Sequence, residues 1–225
     1  MQHAILFDFN GVILDDEPIH LRLFNEGLAP LGYRIDVADY YEKYVGFDDA
    51  DGFTAAVADQ GGDLDRGLLD RLIREKAARY QALMDSHPPL FPGAAELIRR
   101  LVDRYPLAIA SGALREEIEG VLATAGLADC FQVIVAAEDV NHGKPDPEGY
   151  LVALAALRRG REPDLTADRC LVIEDTVAGV VAAKAAGMRC LAVAHTYPAE
   201  RLYQADLVRP ALAAVTLEEI EGVLA

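Results

Sequence analysis

Four places in this sequence carry side chains able to do chemistry just beyond, or in a loop after, short apolar runs. Asp8 follows Ala4–Phe7, with Asn10 two residues on and Gly11 beside it. Ser111 and Gly112 follow Leu107–Ala110. Lys144 stands in His142-Gly143-Lys144-Pro145-Asp146-Pro147, a loop that enters a helical pattern, and Glu174 with Asp175 follows 171–173. Asp8 is a carboxylate able to attack phosphorus, and with Asp175 it offers the oxygen donors that a hard divalent cation prefers. Ser111 and Lys144 can hold phosphoryl oxygens and neutralise charge developing on them. Glu174 can orient Lys144 or position a metal-bound water. Taken singly, each has a plainer reading: Asp8 as a turn cap, Ser111 as a helix cap, Lys144 as a solvated lysine, Glu174-Asp175 as a helix N-terminal acid pair. Taken together they share one sheet edge, the carboxyl ends of buried strands, where ligands of open α/β sheets collect.

The elements that must hold them are legible. The runs 4–7, 107–110 and 171–173, with 133–136 and 191–194, are short and continuously apolar, as strands buried on both faces are. Helical spacing separates them over 94–104, 114–125 (with Gly126 as C-terminal cap), 148–158, 177–186 (ending at Gly187) and 217–224. This alternation predicts an α/β fold with a doubly wound, Rossmann-like parallel-sheet core. Between the first strand and Leu107 lie roughly a hundred residues, far more than one crossover needs. Helical patterns fill most of that stretch, around Ile19, Leu23 and Phe24, then over 37–44, 49–59 and 65–84. The Pro-rich 87–93 ends it. The expected organisation is a core of 1–15 with 89–225, and an inserted helical cap domain of 16–88.

Composition narrows the partners. The 225 residues are 52% apolar and 26% charged, an ordinary globular balance, and carry a formal net charge of −16. That field repels nucleic-acid backbones, and no block of Lys and Arg opposes it, so no nucleic-acid partner is expected. No stretch approaches the ~18–20 apolar residues of a membrane span, and 1–11 does not read as a signal peptide, so no membrane partner is expected. Cys130, Cys170 and Cys190 are far apart and flanked by apolar residues, the pattern of buried thiols in a reducing compartment. The expectation is a soluble cytoplasmic protein. Its oligomeric state cannot be read from the sequence.

In sequence order, Asp8-Phe9-Asn10-Gly11-Val12-Ile13, Asp16-Glu17-Pro18-Ile19-His20, Ser111, Gly143-Lys144-Pro145-Asp146-Pro147 and Ile173-Glu174-Asp175-Thr176 resemble the motifs of haloacid dehalogenase-like hydrolases. The resemblance is to the subgroup of phosphoglycolate phosphatase and β-phosphoglucomutase, and it spans essentially the whole chain. It implies that Asp8 is the nucleophile of an aspartyl-phosphate mechanism. It further implies that Mg2+ is held by Asp8, Asp175 and the backbone carbonyl of Asn10, with Glu174 a ligand directly or through water. Ser111 and Lys144 would clamp phosphate, and the inserted helices would close over a small phosphorylated metabolite. Glu17 and His20, one helical turn apart, are substrate-binding candidates near the hinge, or simply a polar pair there. Gly46, in the stretch with Asp48 and Asp49, resembles a substrate-facing loop. Gly112 permits close approach beside Ser111, and Arg115 is either a mouth residue or a solvated helix arginine.

Asn10 departs from the family pattern, which has Asp there as acid and base. A carboxamide can serve as neither. Three readings stand: an Asp replaced by Asn to slow turnover, a natural member with a different or weak activity, and a non-catalytic binder of a phosphorylated metabolite. The intact remainder of the motif predicts a magnesium-dependent phosphatase of a small phosphomonoester, sugar phosphate or phosphoglycolate-like, with turnover impaired at Asn10. A sugar phosphomutase is the alternative; the absence of Asn shortly after Ser111 and the scattered cap arginines weigh against it. The acid pair argues against halide displacement. For phosphonate cleavage the cap offers only Lys43 and Lys76, with no apolar setting evident for either.

Overall fold

The computed structural model describes residues 3–45, 47, 49–160 and 162–225. The chain divides into two compact units, Met1–Asp15 with Pro88–Ala225, and Asp16–His87.

In the first unit, six parallel strands form one sheet: β1 (Ala4–Phe7), β2 (Leu107–Ala110), β3 (Val133–Val135), β4 (Cys170–Glu174), β5 (Arg189–Val193) and β6 (Leu207–Arg209). Their spatial order is β3-β2-β1-β4-β5-β6. The helices of the chain are α1 (Glu17–Leu28), α2 (Val37–Asp39), α3 (Asp49–Ala58), α4 (Arg66–Ser86), α5 (Ala94–Val102), α6 (Arg115–Thr124), α7 (Glu148–Gly160), α8 (Val177–Ala185) and α9 (Leu217–Leu224). The first four lie in Asp16–His87 and the rest in the sheet unit. Strand residues alternate between faces, and both faces of β1 are covered. Leu6 packs with Leu154, Leu157, Val180 and Ala183 of α7 and α8. Phe7, pointing the other way, meets Phe131 edge to face at 5.9 Å. This double coverage is why the strands read as unbroken apolar runs rather than alternating ones.

Two glycines end helices as expected. Gly126 and Gly187 adopt φ of 65° and 74°. The amides that follow, Leu127 N and Met188 N, reach back to Leu122 O and Ala183 O at 2.8 and 3.0 Å, closing Schellman motifs. The sequence reading named no strand at β6. Its three residues are half-buried on the sheet edge, so they carry no apolar run. Cys170 and Cys190 are buried, but Cys130 is only partly so, which corrects the expectation of three buried thiols.

Asp16–His87 builds its own core around Phe24 and Phe53, whose rings meet at 4.8 Å, with Leu28, Tyr40, Tyr44, Val57 and Leu72. After α2 the chain continues as a π-helical turn, Tyr40–Tyr44. Lys76 of α4 is 3% exposed and pairs with Asp49, so the cap holds a buried lysine after all. Among the described residues no helix is long and apolar enough to cross a membrane.

Asp206, before β6, clasps the sheet edge to α8. Its oxygens accept from Lys184 Nζ at 2.8 and 2.7 Å and from Cys190 N at 2.7 Å. Burial alone would raise its carboxyl, but these donors bring it below the ordinary 3.8. A lowered acid contributes stability above its unfolded value that is lost as pH falls through the folded one. Asp206→Asn is therefore expected to cost about 1–2 kcal/mol at pH 7. Denaturant melts should show that difference shrinking as pH drops below about 4.

Candidate active site

The register of the sheet places Phe7 level with Ile109 of β2 and Ile173 of β4. Asp8 therefore emerges level with Ala110 and Glu174, and Ser111 and Asp175 lie one residue further on. Three central strands thus deliver their first polar side chains to one edge. Asp8, Ser111, Glu174 and Asp175 are all buried.

Lys144 reaches this edge from the loop before α7. Its ammonium lies 2.7 Å from both Asp8 Oδ1 and Glu174 Oε1. The ring of Tyr150 lies below it, 5.2 Å from ring centre to Nζ. Glu174 is saturated by donors. Oε1 accepts from Lys144 Nζ and from Tyr150 Oη at 3.1 Å. Oε2 accepts from Asp175 N, Thr176 N and Thr176 Oγ1 at 2.7 to 3.0 Å. A Cβ at Gly179 would sit 1.6 Å from Glu174 Oε1, so only glycine lets α8 start this close to that carboxylate. Thr176 caps the same helix, its Oγ1 accepting from Gly179 N at 3.0 Å.

Electrostatics divides the three acids. Burial would raise Glu174, but Lys144 and the backbone donors pull it below its ordinary range. Burial, opposed by Lys144 and reinforced by Glu174, raises Asp8 to about 7. Burial together with Glu174 and Asp8 raises Asp175 to about 8. Lys144 moves up, since its two carboxylates outweigh its burial. Three buried carboxylates thus share one ammonium, leaving two negative charges unmatched when all are ionised.

Oxygens of Asp8, Glu174 and Asp175 lie within 4.8 Å of one another, an acidic cluster able to hold a metal ion. Asp175 Oδ1 is buried and has no hydrogen-bond partner among the described residues. An orphaned carboxylate oxygen in an uncompensated acidic cluster fits a divalent cation.

Ser111 and Lys144 also line one cavity of ≈ 140 Å³, with Gly112, His142, Val135 and Tyr150 among its walls. Ser111 Oγ accepts from Ala113 N at 3.2 Å. Asn10 forms an isolated bridge with Leu14. Arg115 is occupied: its guanidinium bonds Asp139, Glu119 and the carbonyl of Ile134, stapling the loop after β2 to the one after β3. Glu17 and His20 belong to the other unit. There Tyr40 Oη donates to Glu17 at 2.6 Å. Lys76 Nζ donates to His20 Nδ1 at 2.8 Å, which puts the ring proton on Nε2, 3.3 Å from Asp16 Oδ2. Gly46 and Asp48 lie outside the described residues. Tyr150 and Thr176 were not singled out by sequence reading. Thr176 is marked only by standing next to Asp175 at the end of its motif, and Tyr150 only by lying in the helix that follows the Lys144 loop.

A model of haloacid dehalogenase-like hydrolases matches residues 2–187. The chain belongs to that family. Among curated relatives, validoxylamine A 7'-phosphate phosphatase of Streptomyces hygroscopicus subsp. limoneus is 32% identical over 210 residues, covering 92% of this chain and 93% of that one. Fructose-1-phosphate phosphatase YqaB of Escherichia coli is 33% identical over 188 residues, covering 82% and 93%. CbbY of Rhodobacter sphaeroides has been solved with phosphate, at TM-score 0.77 and 30% identity over 98% of this chain and 100% of that one. An Asp-to-Asn mutant of CbbY, solved with xylulose-1,5-bisphosphate, gives TM-score 0.74 and 31% identity, covering 95% and 96%.

For this haloacid dehalogenase-like hydrolase, the raised Asp175 has a measurable consequence. Between the ordinary 3.8 and about 8 the folded protein holds a proton that the unfolded chain has lost. Its contribution to stability therefore falls as pH rises through that window. Without metal, Asp175→Asn is expected to match the parent near pH 4 and exceed it by at least about 1 kcal/mol at pH 8. Chemical denaturation in chelator across that range measures the difference.

Proposed function

We propose that the chain is a magnesium-dependent phosphatase of a small phosphomonoester, with a sugar phosphate as the substrate class, whose turnover Asn10 limits. The carrying observation is the assembly of Asp8, Lys144 and Asp175 at one sheet edge, with Ser111 on the cavity that Lys144 also lines. The substrate class rests on relatives named for validoxylamine 7'-phosphate and fructose 1-phosphate, and on the sugar bisphosphate bound to CbbY.

Asp8 and Asp175, with the backbone carbonyl of Asn10, would hold Mg2+. When bound it would neutralise the surplus charge, keep Asp8 ionised at neutral pH and draw charge from the phosphoryl oxygens. Glu174 already carries five donors, more than its lone pairs comfortably accept. Its part is to orient Lys144, with any link to the metal through water. An ester phosphate is then received by Ser111 and Lys144. Asp8 forms the new oxygen–phosphorus bond as the ester oxygen leaves, which takes a proton to become the alcohol. Water next attacks phosphorus, losing a proton and regenerating the Asp8 carboxylate. Both proton transfers need a group able to give and take one, and the Asn10 carboxamide cannot.

Phosphate release with Mg2+ from sugar phosphates, phosphoglycolate and nucleotides, for the parent and Asn10→Asp, tests this. Asn10→Asp is expected to gain ~10²–10⁴-fold in kcat on its preferred ester. No release by either form, with esters still bound, would overturn hydrolysis in favour of a binding role.

A further inference from the structure

The loop that carries Lys144 has no regular structure of its own, yet its ammonium is held to two carboxylates at 2.7 Å each. Something must fix its backbone. Glu148, the first residue of α7, does not serve its own helix, as a first-turn acid ordinarily would. That end is served by Asp146, whose Oδ1 accepts from Glu148 N at 2.9 Å. The Glu148 carboxylate instead turns back to the start of the loop. Oε1 accepts from Asn141 N and Nδ2 at 3.1 and 3.0 Å. Oε2 accepts from His142 N and Nδ1 at 2.9 and 3.0 Å. An inner rung, Asp146 N to Gly143 O at 3.0 Å, closes within it. Lys144 lies inside both rungs, in the turn that the inner one closes. These donors, Asn141 N foremost, hold the Glu148 carboxyl down at about 2 against the raising effect of burial. The accepting carboxylate is therefore ionised at neutral pH.

We propose that Glu148 is a positioning residue: it ties Asn141 and His142 to the start of α7 and thereby sets the Lys144 ammonium against Asp8 and Glu174. For its consequence in phosphate binding, this rests on the function proposed above. The Glu148 side chain keeps 23% exposure. Its removal therefore opens no core cavity, and its effect is carried by the loop.

The test reads Lys144 directly. The folded parent, Glu148→Ala and Glu148→Gln would be reductively methylated under native conditions, with the rate at each lysine followed by mass spectrometry. Loss of four hydrogen bonds to a charged acceptor should speed modification of Lys144 by about tenfold or more in Glu148→Ala. Glu148→Gln, which keeps one accepting oxygen, should be intermediate. Lys43 and Lys184, paired elsewhere, should not change. Unchanged Lys144 rates in the Gln and Ala variants overturn the proposal. If the Ala variant exposes every lysine, the Gln variant decides alone.

A second arm measures inorganic phosphate binding with Mg2+ by calorimetry. Glu148→Ala should weaken it by about tenfold in the parent and not at all in Lys144→Ala, because the residue acts through the lysine. Additive losses overturn the proposal. A parent that binds no phosphate defeats the functional reading instead, and the labelling rates still judge Glu148.

Discussion

The ammonium of Lys144, wedged between Asp8 and Glu174, is the constraint on which the site turns. Burying carboxylates is costly unless they are paired and hydrogen-bonded, and removing one partner leaves an uncompensated charge. This chain buries three at one sheet edge in a molecule whose formal charge is already −16. Glu174 is made tolerable by saturation with donors. Asp8 shares the lysine, and Asp175 is left with an oxygen that no group among the described residues satisfies. The gradient from satisfied to unsatisfied runs across the cluster, toward the side where a cation would complete it.

Supporting contacts are ranked by that demand. Ser111 and Lys144, which line one cavity from loops, each stand on a segment braced by a charged side chain. Arg115 bridges the loops after β2 and β3 through Asp139, and Glu148 closes the loop before α7. Arg115, expected at the site mouth or in solvent, and Glu148 thus spend their hydrogen bonds on holding loops in place. Rigid placement of loop groups is the general requirement for electrostatic stabilisation, since donors that must reorganise forfeit much of their effect.

The sheet and most helices were legible because burial on both faces writes an apolar run into the sequence, and helix packing writes a stripe. The edge strand β6 was not, since Leu207–Arg209 is only half-buried and leaves no such trace. The burial of Lys76 was readable in principle: it falls on the stripe of Leu69, Leu72, Ile73 and Leu83, where a cation demands a partner. Its partners, Asp49 and His20, lie 27 and 56 residues away, beyond any local pattern. The strand-end residues were found through shared position at one edge. Tyr150 and Glu148 were missed as contributors because a tyrosine and an acid in a first helical turn have many commoner uses. Their significance lies in long-range geometry that spacing does not encode.

The central place of β1 gives the molecule an uneven biosynthetic history. Its neighbours β2 and β4 begin at Leu107 and Cys170, so the strand before Asp8 waits on the ribosome, apolar and unpaired, for about a hundred residues before β2 is made and about sixty more before β4. The helical cluster of Leu21 to Leu72 is complete long before, and its contacts close short loops. Folding in the order of synthesis therefore sets the local helical module first and the reactive edge last, when Asp175 emerges. The clustered acids come together only at the end of that sequence, so their repulsion does not oppose the earlier steps.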